Sequence, residues 1–211
     1  MRSIALNLAL GALFSTHFAT ADAALVSRAG GTMVYDSDRD ITWLADANYA
    51  MTSGHDADGR MTWSAASAWA EGLVFGGYDD WRLPNALPEP AFPAYGETAS
   101  EMGHLFYEEL GGVAQQSLAL THNANYDLFT NISDWIYWSA TTYSPEVAQA
   151  WNFRFDYSTP SFNGLQSFNY KEFFEMNAWA VRDGDVAVVP LPGALGLCLP
   201  LLALLGARRR G

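Results

Sequence analysis

The chain has 211 residues, of which 50% are hydrophobic and 14% aromatic, and its 23 acidic and 11 basic residues give a net charge of −12. A surface this acidic repels phosphate backbones, so nucleic acid is excluded as an expected partner. The single cysteine, Cys198, lies near the C-terminus, which leaves the rest of the chain without a disulfide, a thiolate metal site or a cysteine nucleophile.

The first 23 residues have the order of features found in a secretory signal peptide. Arg2 precedes an apolar run from Ile4 to Phe14, and Ala21-Asp22-Ala23 forms an A-x-A site of the kind that signal peptidase cleaves. We therefore expect export and a mature chain that begins at Ala24. The alternative is an ordinary buried N-terminal helix.

Residues 190–211 have the features of a second targeting signal. The segment Pro190-Leu191-Pro192 leads into an apolar run from Ala194 to Ala207, which three arginines follow. The pattern resembles the PEP-CTERM type of bacterial sorting tail, although Leu191 stands where that class usually has glutamate. The resemblance implies transient retention in the inner membrane, cleavage by an exosortase-type enzyme and release to the cell surface or an extracellular matrix. The run is shorter than the ~20 residues that a spanning helix usually needs, but counting from Val186 brings it near the lower limit of about 17, so a permanent single-pass transmembrane helix is the alternative. The sorting residues are Pro190, Pro192, Arg208, Arg209 and Arg210.

Residues 24–189, between the two signals, are enough for one domain with a real core. They carry 7 basic and 22 acidic residues, a net charge of −15. Neutral glycans or cations are easier to accommodate on such a surface than anionic polymers.

The first predicted element of this domain is a β-hairpin. Two apolar-rich runs, Thr32–Tyr35 and Ile41–Leu44, are separated by a polar, acidic loop. Asp36, Asp38 and Asp40 match the first three positions of a calcium-binding EF-hand loop, but the glycine and the distal glutamate of that loop are both missing. Solvated turn aspartates are the default interpretation, and a looser cation site is the alternative. No cofactor is expected from the sequence, and no motif supports a calcium ion as the bound cation.

Two short helices are predicted next. Thr62 is expected to cap a helix that ends at Glu71, and Ser100 a second helix that ends before Gly111. His104 lies in the second helix without a partner motif, so a surface or satisfied core histidine is expected. The apolar face of the second helix is formed by Met102, Leu105, Phe106 and Leu110.

The segment 76–84, between these helices, combines loop residues with large apolar side chains. Its glycines and aspartates favour a turn that leads into a short strand. Trp81 and Leu83 are expected in the core, and Arg82 is expected to reach a carboxylate.

From Leu128 onward the apolar residues recur with a period of two, which predicts strands. One strand is expected to be half-buried, with Trp151, Phe153, Phe155 and Tyr157 on the inner face and Asn152, Arg154 and Asp156 on the outer face. Further strands are predicted at 135–143, 168–173 and 178–182. The N-terminal hairpin, the two short helices and an antiparallel sheet in the C-terminal half together give an α+β fold.

Four short motifs follow one another over nearly all of the mature chain. They are Tyr35-Asp36 with Ile41-Thr42-Trp43-Leu44, Gly77-Tyr78-x-Asp80-Trp81-Arg82-Leu83-Pro84, Tyr137-Trp138-Ser139-Ala140-Thr141 and Ala178-Trp179-Ala180-Val181-Arg182. In this order they resemble the bacterial Lcl C-terminal domain family. The resemblance implies a fold similar to C-type lectins and formylglycine-generating enzymes, and a named member of the family is an adhesin that binds sulfated glycans.

Two features of this chain depart from what the resemblance implies. Calcium-dependent lectins bind sugar through Glu-Pro-Asn and Trp-Asn-Asp, whereas this chain has Glu89-Pro90-Ala91 and Trp151-Asn152-Phe153. The calcium sugar site is therefore not carried over. The acidic charge also argues against sulfated ligands.

The leading functional hypothesis is an exported, non-enzymatic module that binds a surface polymer or exopolysaccharide. No catalytic motif is present, although a glycosidase pair made by Asp79 or Asp80 with Glu108 is one alternative and a structural matrix protein is another. Sugar binding needs exposed rings beside polar groups. The candidate ligand-binding residues on the predicted sheet are Trp135, Tyr143, Asn152, Arg154, Asp156, Asn169, Tyr170 and Lys171.

Overall fold

The computed structural model describes residues 24–155 and 158–186. The predicted signal peptide and the sorting tail, with Pro190, Pro192 and Arg208–Arg210, lie outside the described residues, as do Asp156 and Tyr157. Within the described ranges, no helix is long and apolar enough to cross a lipid bilayer.

The fold combines short strands with short helices, which confirms the α+β class. The strands are β1 Leu25–Arg28, β2 Met33–Asp36, β3 Ile41–Leu44, β4 Arg60–Met61, β5 Ile136–Thr142, β6 Gln149–Arg154, β7 Gln166–Tyr170, β8 Met176–Asn177 and β9 Val181–Asp183. The helices are α1 Tyr49–Thr52, α2 Trp63–Glu71, α3 Glu101–His104 and α4 Leu118–Thr121, with a π-helical turn at Leu105–Glu109 and 3₁₀ turns at Ala29–Gly31, Ala124–Leu128 and Pro160–Phe162.

The strands form two sheets. The first has the order β1-β2-β3-β9 and is antiparallel throughout. The second has the order β4-β8-β5-β6-β7, in which β5 and β8 pair in parallel through Tyr137 and Asn177 and the other pairs are antiparallel. The predicted hairpin is confirmed as β2 and β3, with Met33 opposite Leu44.

The prediction of one sheet in the C-terminal half is wrong in one respect. Residues 178–182 were expected beside the other C-terminal strands, but β9 pairs with β3 of the N-terminal hairpin. Thr42 opposes Arg182 and Trp43 opposes Val181 in this pair. Strand periodicity shows which side chains share a face, but it carries no information about which strand is the neighbour.

Both predicted helices are present, and their caps are the predicted residues. The Thr62 side chain accepts a hydrogen bond from the Ala65 amide, and the Ser100 side chain accepts one from the Gly103 amide. The second helix is not regular, because α3 passes into the π-helical turn at Leu105. The structure also contains α1 and α4, which were not predicted.

The segment around Arg82 connects the two sheets through its backbone. The Arg82 amide donates to the Val181 carbonyl at 2.8 Å, and the Val181 amide donates back at 2.9 Å. Two residues later, the Pro84 carbonyl accepts from the Ala140 amide of β5 at 2.8 Å. The segment therefore lies between β9 of the first sheet and β5 of the second.

The side chains of this segment behave as the sequence predicts. Trp81 and Leu83 are buried, each with 2% of its surface exposed. The Arg82 guanidinium donates to both carboxylate oxygens of Glu101, at 2.9 and 2.8 Å, and also contacts Asp183. Arg82 thus joins the start of α3 to the end of β9.

Trp179 lies at the centre of the aromatic core. Its side chain is fully buried, and its indole N–H donates to the Leu44 carbonyl at 2.8 Å. The centroids of four other aromatic rings lie 5.1 to 5.5 Å from its own. Aromatic pairs at this distance stabilise the folded state by more than the burial of their apolar surface alone. The neighbouring rings are Trp43, Phe129, Tyr137 and Phe155.

Replacing Trp179 by alanine is expected to lower the free energy of unfolding by about 3–5 kcal/mol, because the substitution removes a large buried ring and leaves a cavity. Equilibrium urea unfolding measures this loss. The control is Phe173→Ala, since Phe173 is 88% exposed. A loss below about 1 kcal/mol for Trp179→Ala would contradict the central position assigned to this ring.

Replacing Arg82 by lysine is expected to cost about 1.5–3 kcal/mol of unfolding free energy, the range for hydrogen bonds to charged groups. Lysine keeps the positive charge but cannot bind both Glu101 oxygens in the bidentate geometry. The comparison variant is Arg60→Lys, whose ion pairs with Asp58 and Asp134 span 3.8 and 4.0 Å. Equal effects of the two substitutions on the urea midpoint would show that the bidentate geometry of Arg82 contributes nothing.

Candidate functional site

The predicted ligand-binding residues do not form one continuous surface. Asn169, Tyr170 and Lys171 lie together at the end of β7. Tyr170 is 47% exposed, whereas Asn169 and Lys171 are half-buried. These three residues are therefore the part of the predicted set that lies at the surface near one another.

Asn152 and Arg154 are less accessible than the sequence predicts. Strand β6 is covered on both faces, and Asn152 is fully buried, where its amide donates to the Asn169 side chain at 2.9 Å. Arg154 is half-buried, with its guanidinium 5.7 Å from the centre of the Phe162 ring. The expectation of a half-buried strand is thus wrong, because a hydrogen bond between amides on neighbouring strands helps to bury Asn152, although its Oδ1 atom has no hydrogen-bond partner among the described residues.

Trp135 and Tyr143 lie on other parts of the second sheet, and their rings already have neighbours. The Arg60 guanidinium lies 4.6 Å from the centre of the Trp135 ring, and the Trp135 indole donates to the Glu175 carbonyl. The Tyr143 ring stacks on Phe168 with centroids 3.9 Å apart. Both rings are half-buried and contribute mainly to packing.

The structure adds two aromatic residues that the predicted set lacks. Phe173 and Phe174 are 88% and 45% exposed, and with Tyr170 they line a concavity of about 460 Å³. We call Tyr170, Phe173 and Phe174 the aromatic patch. Phe173 was predicted as the last residue of a strand, so its exposure was missed. The strand ends at Tyr170, Phe173 lies in the turn beyond it, and Phe174 follows directly after that turn.

The turn that carries the patch is held in place at Lys171, its first residue. The Lys171 amide donates to the Ala148 carbonyl, and the Lys171 carbonyl accepts from the Trp63 amide, each at 2.9 Å. The Lys171 ammonium donates to the Thr142 hydroxyl at 2.8 Å and lies 4.0 Å from the centre of the Trp63 ring. Burial lowers the pKa of Lys171, which nearby Glu172 opposes. The patch is therefore presented by an anchored turn.

A second group of functional side chains lies in the interior, between the hairpin and the α3 helix. Asp36, His104 and Glu109 are 0%, 9% and 5% exposed. The His104 Nε2 atom lies 3.2 Å from Glu109 Oε1 and 3.9 Å from Asp36 Oδ2. We call these three residues the Asp-His-Glu cluster, and its donor atoms all lie within 4.8 Å of one another.

Burial dominates the electrostatics of the Asp-His-Glu cluster. It raises the pKa of Glu109 to about 7, with further contributions from Asp36, Asp38 and Glu108. It lowers the pKa of His104, which the Asp36 carboxylate opposes. The pKa of Asp36 is raised by burial, which outweighs the opposing effects of His104 and of two backbone hydrogen bonds. Each group is thus shifted towards its neutral form.

Local backbone structure positions each member of the cluster. Asp36 Oδ1 accepts hydrogen bonds from the amides of Asp38 and Arg39, both at 3.1 Å, which turns Oδ2 inward. The π-helical turn brings His104 and Glu109 together, because residues five apart in an α-helix point about 140° away from each other. Gly103 lets the α3 helix pack closely against the backbone of Glu97, since a Cβ at position 103 would overlap the Glu97 carbonyl oxygen.

The three loop aspartates do not converge on one point as an oxygen-rich calcium site requires. Asp36 points into the interior, Asp38 is exposed, and Asp40 accepts a hydrogen bond from the Tyr35 hydroxyl at 2.8 Å. The sequence analysis grouped Asp36 with Asp38 and Asp40, whereas the structure places it beside His104 and Glu109. His104 lies 68 positions after Asp36 in the chain. Residues five apart, such as His104 and Glu109, do not share a face of a regular α-helix. No local sequence pattern therefore indicates that the three residues lie together.

The proposed glycosidase pair gains no support from its surroundings. Asp80 accepts hydrogen bonds from the Arg182 guanidinium at 2.8 and 2.9 Å, and these hold the pKa of the Asp80 carboxyl below its ordinary value. A general acid needs the opposite shift. Asp79 and Glu108 are exposed.

Comparison with known proteins identifies the domain. The family model described as Lcl C-terminal domain matches residues 32–182, which is more than half of the chain. No curated protein matches the chain. No solved structure matches it either.

Proposed function

The chain belongs to the Lcl C-terminal domain family, and we propose that it is an exported binding module that recognises a neutral polysaccharide through its aromatic patch. The observation that carries this proposal is the exposure of three aromatic rings beside one another. Soluble proteins rarely leave adjacent large apolar side chains in water unless the surface contacts a partner. The patch is concave and anchored, as expected of a preformed binding site.

The chemistry of the patch fits a sugar ring. The apolar face of a pyranose can pack on Tyr170, Phe173 or Phe174, which supply large contact areas with few rotatable bonds. Polar groups are adjacent, because Lys171, Glu172 and Asn169 lie in the same turn or at the end of the same strand. These groups can hydrogen-bond to sugar hydroxyls that project from the ring.

The charge of the chain selects a neutral polymer. With 22 acidic against 7 basic residues between 24 and 189, the domain repels sulfated or phosphorylated polymers at long range. Lys171 offers little local compensation for this charge, because the acidic Glu172 lies beside it. The ligand therefore differs in charge from the sulfated glycans that the family resemblance suggested.

Export places the module where such a polymer occurs. In this proposal signal peptidase removes residues 1–23, and the PEP-CTERM-type tail holds the protein transiently at the inner membrane. An exosortase-type enzyme then releases the domain to the cell surface or the extracellular matrix. The cell's own exopolysaccharide is the polymer that it would meet there. A fold similar to C-type lectins and formylglycine-generating enzymes is part of the same proposal.

Removing the patch is expected to abolish polymer binding without unfolding the domain. In affinity electrophoresis through gels that contain neutral exopolysaccharide, the double variant Phe173→Ala with Phe174→Ala should bind at least about 10-fold more weakly, since each 1.4 kcal/mol of lost contact is a factor of ten. The matched control is Phe92→Ala, because Phe92 is 74% exposed and lies outside the patch.

Three results would contradict the proposal. Equal retardation of the double variant and the wild type would show that the patch is not the binding surface. Release of shorter sugars from the polymer would identify a glycan-active hydrolase. Concentration-dependent oligomers in sedimentation, with no retardation by the polymer, would identify a structural matrix protein.

A further inference from the structure

The Asp-His-Glu cluster has no part in polymer binding, because it is buried between β2 and the α3 helix. We propose that it binds a divalent transition-metal ion of the zinc type. The ligand atoms would be Asp36 Oδ2, His104 Nε2 and Glu109 Oε1. One imidazole and two carboxylates are a donor set that such ions accept.

The separations between the donor atoms match a metal site. In a tetrahedral zinc site with bonds of about 2.0–2.2 Å, neighbouring donor atoms lie roughly 3.3 Å apart. His104 Nε2 lies 3.2 Å from the Glu109 oxygen and 3.9 Å from the Asp36 oxygen. All three donor atoms lie within 4.8 Å of one another, so a bound ion would draw them closer together. The fourth position is then open to water or to another ligand.

Two of the proposed ligand atoms lack hydrogen-bond partners. Among the described residues, nothing donates a hydrogen bond to Asp36 Oδ2, and His104 Nε2 makes no well-formed hydrogen bond, although the Glu109 oxygen lies 3.2 Å away; both atoms are buried. Buried polar atoms are nearly always satisfied in folded proteins. The fully buried Asp36 oxygen, directed towards His104, is therefore the observation that distinguishes this site from an ordinary group of acidic residues.

The charge balance also favours a cation. Burial disfavours the ionised form of both carboxyl groups, and two such groups side by side in the interior are unfavourable without a compensating cation. Arg39 is close enough to influence His104, but its side chain donates a hydrogen bond to the Thr98 carbonyl oxygen. A divalent ion would neutralise both carboxylates at once.

The donor set distinguishes transition metals from calcium. Calcium takes about six to eight oxygen ligands in flexible geometry. Here Asp36 Oδ1 is already occupied by two backbone amides, and one of the three remaining donors is a nitrogen. The hydrogen bonds from these two amides orient the Asp36 carboxylate, as hydrogen-bond partners of the ligands do in established metal sites.

The test is metal titration of the purified, chelator-treated protein. Isothermal titration calorimetry with Zn²⁺ should show one ion bound per chain. Asp36→Asn, His104→Gln and Glu109→Gln should each weaken this binding by at least about 100-fold, beyond the 10- to 100-fold loss typical of residues that only orient a ligand. The Asp36→Asn substitution retains a side-chain oxygen that can still accept the two backbone amides, so that variant keeps the loop intact.

Matched controls separate the site from adventitious binding. Glu108→Gln changes the exposed neighbour of Glu109, and His122→Gln changes an exposed histidine that stacks on Tyr126. Both variants should bind Zn²⁺ as the wild type does. If they weaken binding as much as the cluster variants, or if the cluster variants bind as well as the wild type, the assignment is overturned.

A spectroscopic measurement on the wild-type chain protects the test against variants that fail to fold. One equivalent of Co²⁺ should give the intense visible absorption of a four-coordinate site, and Zn²⁺ but not Ca²⁺ should remove it. A spectrum of hydrated cobalt would overturn the assignment, because it would show that the cluster binds no such ion. Displacement of cobalt by equimolar Ca²⁺ would overturn the choice of ion. Neither outcome bears on the aromatic patch, which is tested separately by polymer binding.

Discussion

The structure depends on the packing of aromatic rings around Trp179. This residue lies just before β9, yet its ring contacts Trp43 of the first sheet and Tyr137 of the second. The single cysteine of the chain is Cys198, so no disulfide within the chain can join the sheets. The packing of large rings, supported by the backbone of the Arg82 segment, therefore has to hold the two sheets together.

This core separates the two candidate sites. The aromatic patch belongs to the turn after β7, an edge strand of the second sheet, and that turn contacts the N-terminal end of α2 through Lys171. The Asp-His-Glu cluster belongs to the hairpin of the first sheet and to the helical segment that begins with α3. No residue is common to both. The two candidate sites are thus carried by different elements of one domain.

Local features of the fold were predictable, and long-range features were not. The caps at Thr62 and Ser100 and the β2–β3 hairpin follow from short-range chemistry that the sequence displays. The alternation around Asn152 correctly indicated a strand, but it was wrong about exposure, because a polar face can be buried once its amides are paired. The neighbour of β9 depends on contacts between residues about 140 positions apart, which periodicity does not encode.

The candidate sites show the same limit. Tyr170 was predictable as part of a polar, aromatic strand end, whereas the exposure of Phe173 and Phe174 depends on where β7 stops. The Asp-His-Glu cluster requires a π-helical turn, and a sequence scan based on regular helix periods passes over such a turn.

The position of the cluster explains what a bound ion would do for the fold. The helical segment that begins at Glu101 is tied to the first sheet at its start, where Arg82 joins Glu101 to Asp183 of β9. A metal held by His104, Glu109 and Asp36 would tie the far end of the same segment to β2. Because a ligand that binds only the native state shifts the folding equilibrium towards it, this second link would act as a cross-link in a domain that cannot form a disulfide. An ion held in this way would also make use of the irregular helix in this segment. A regular α-helix from Glu101 would direct Glu109 away from His104, and the π-helical turn restores the alignment that the second link needs.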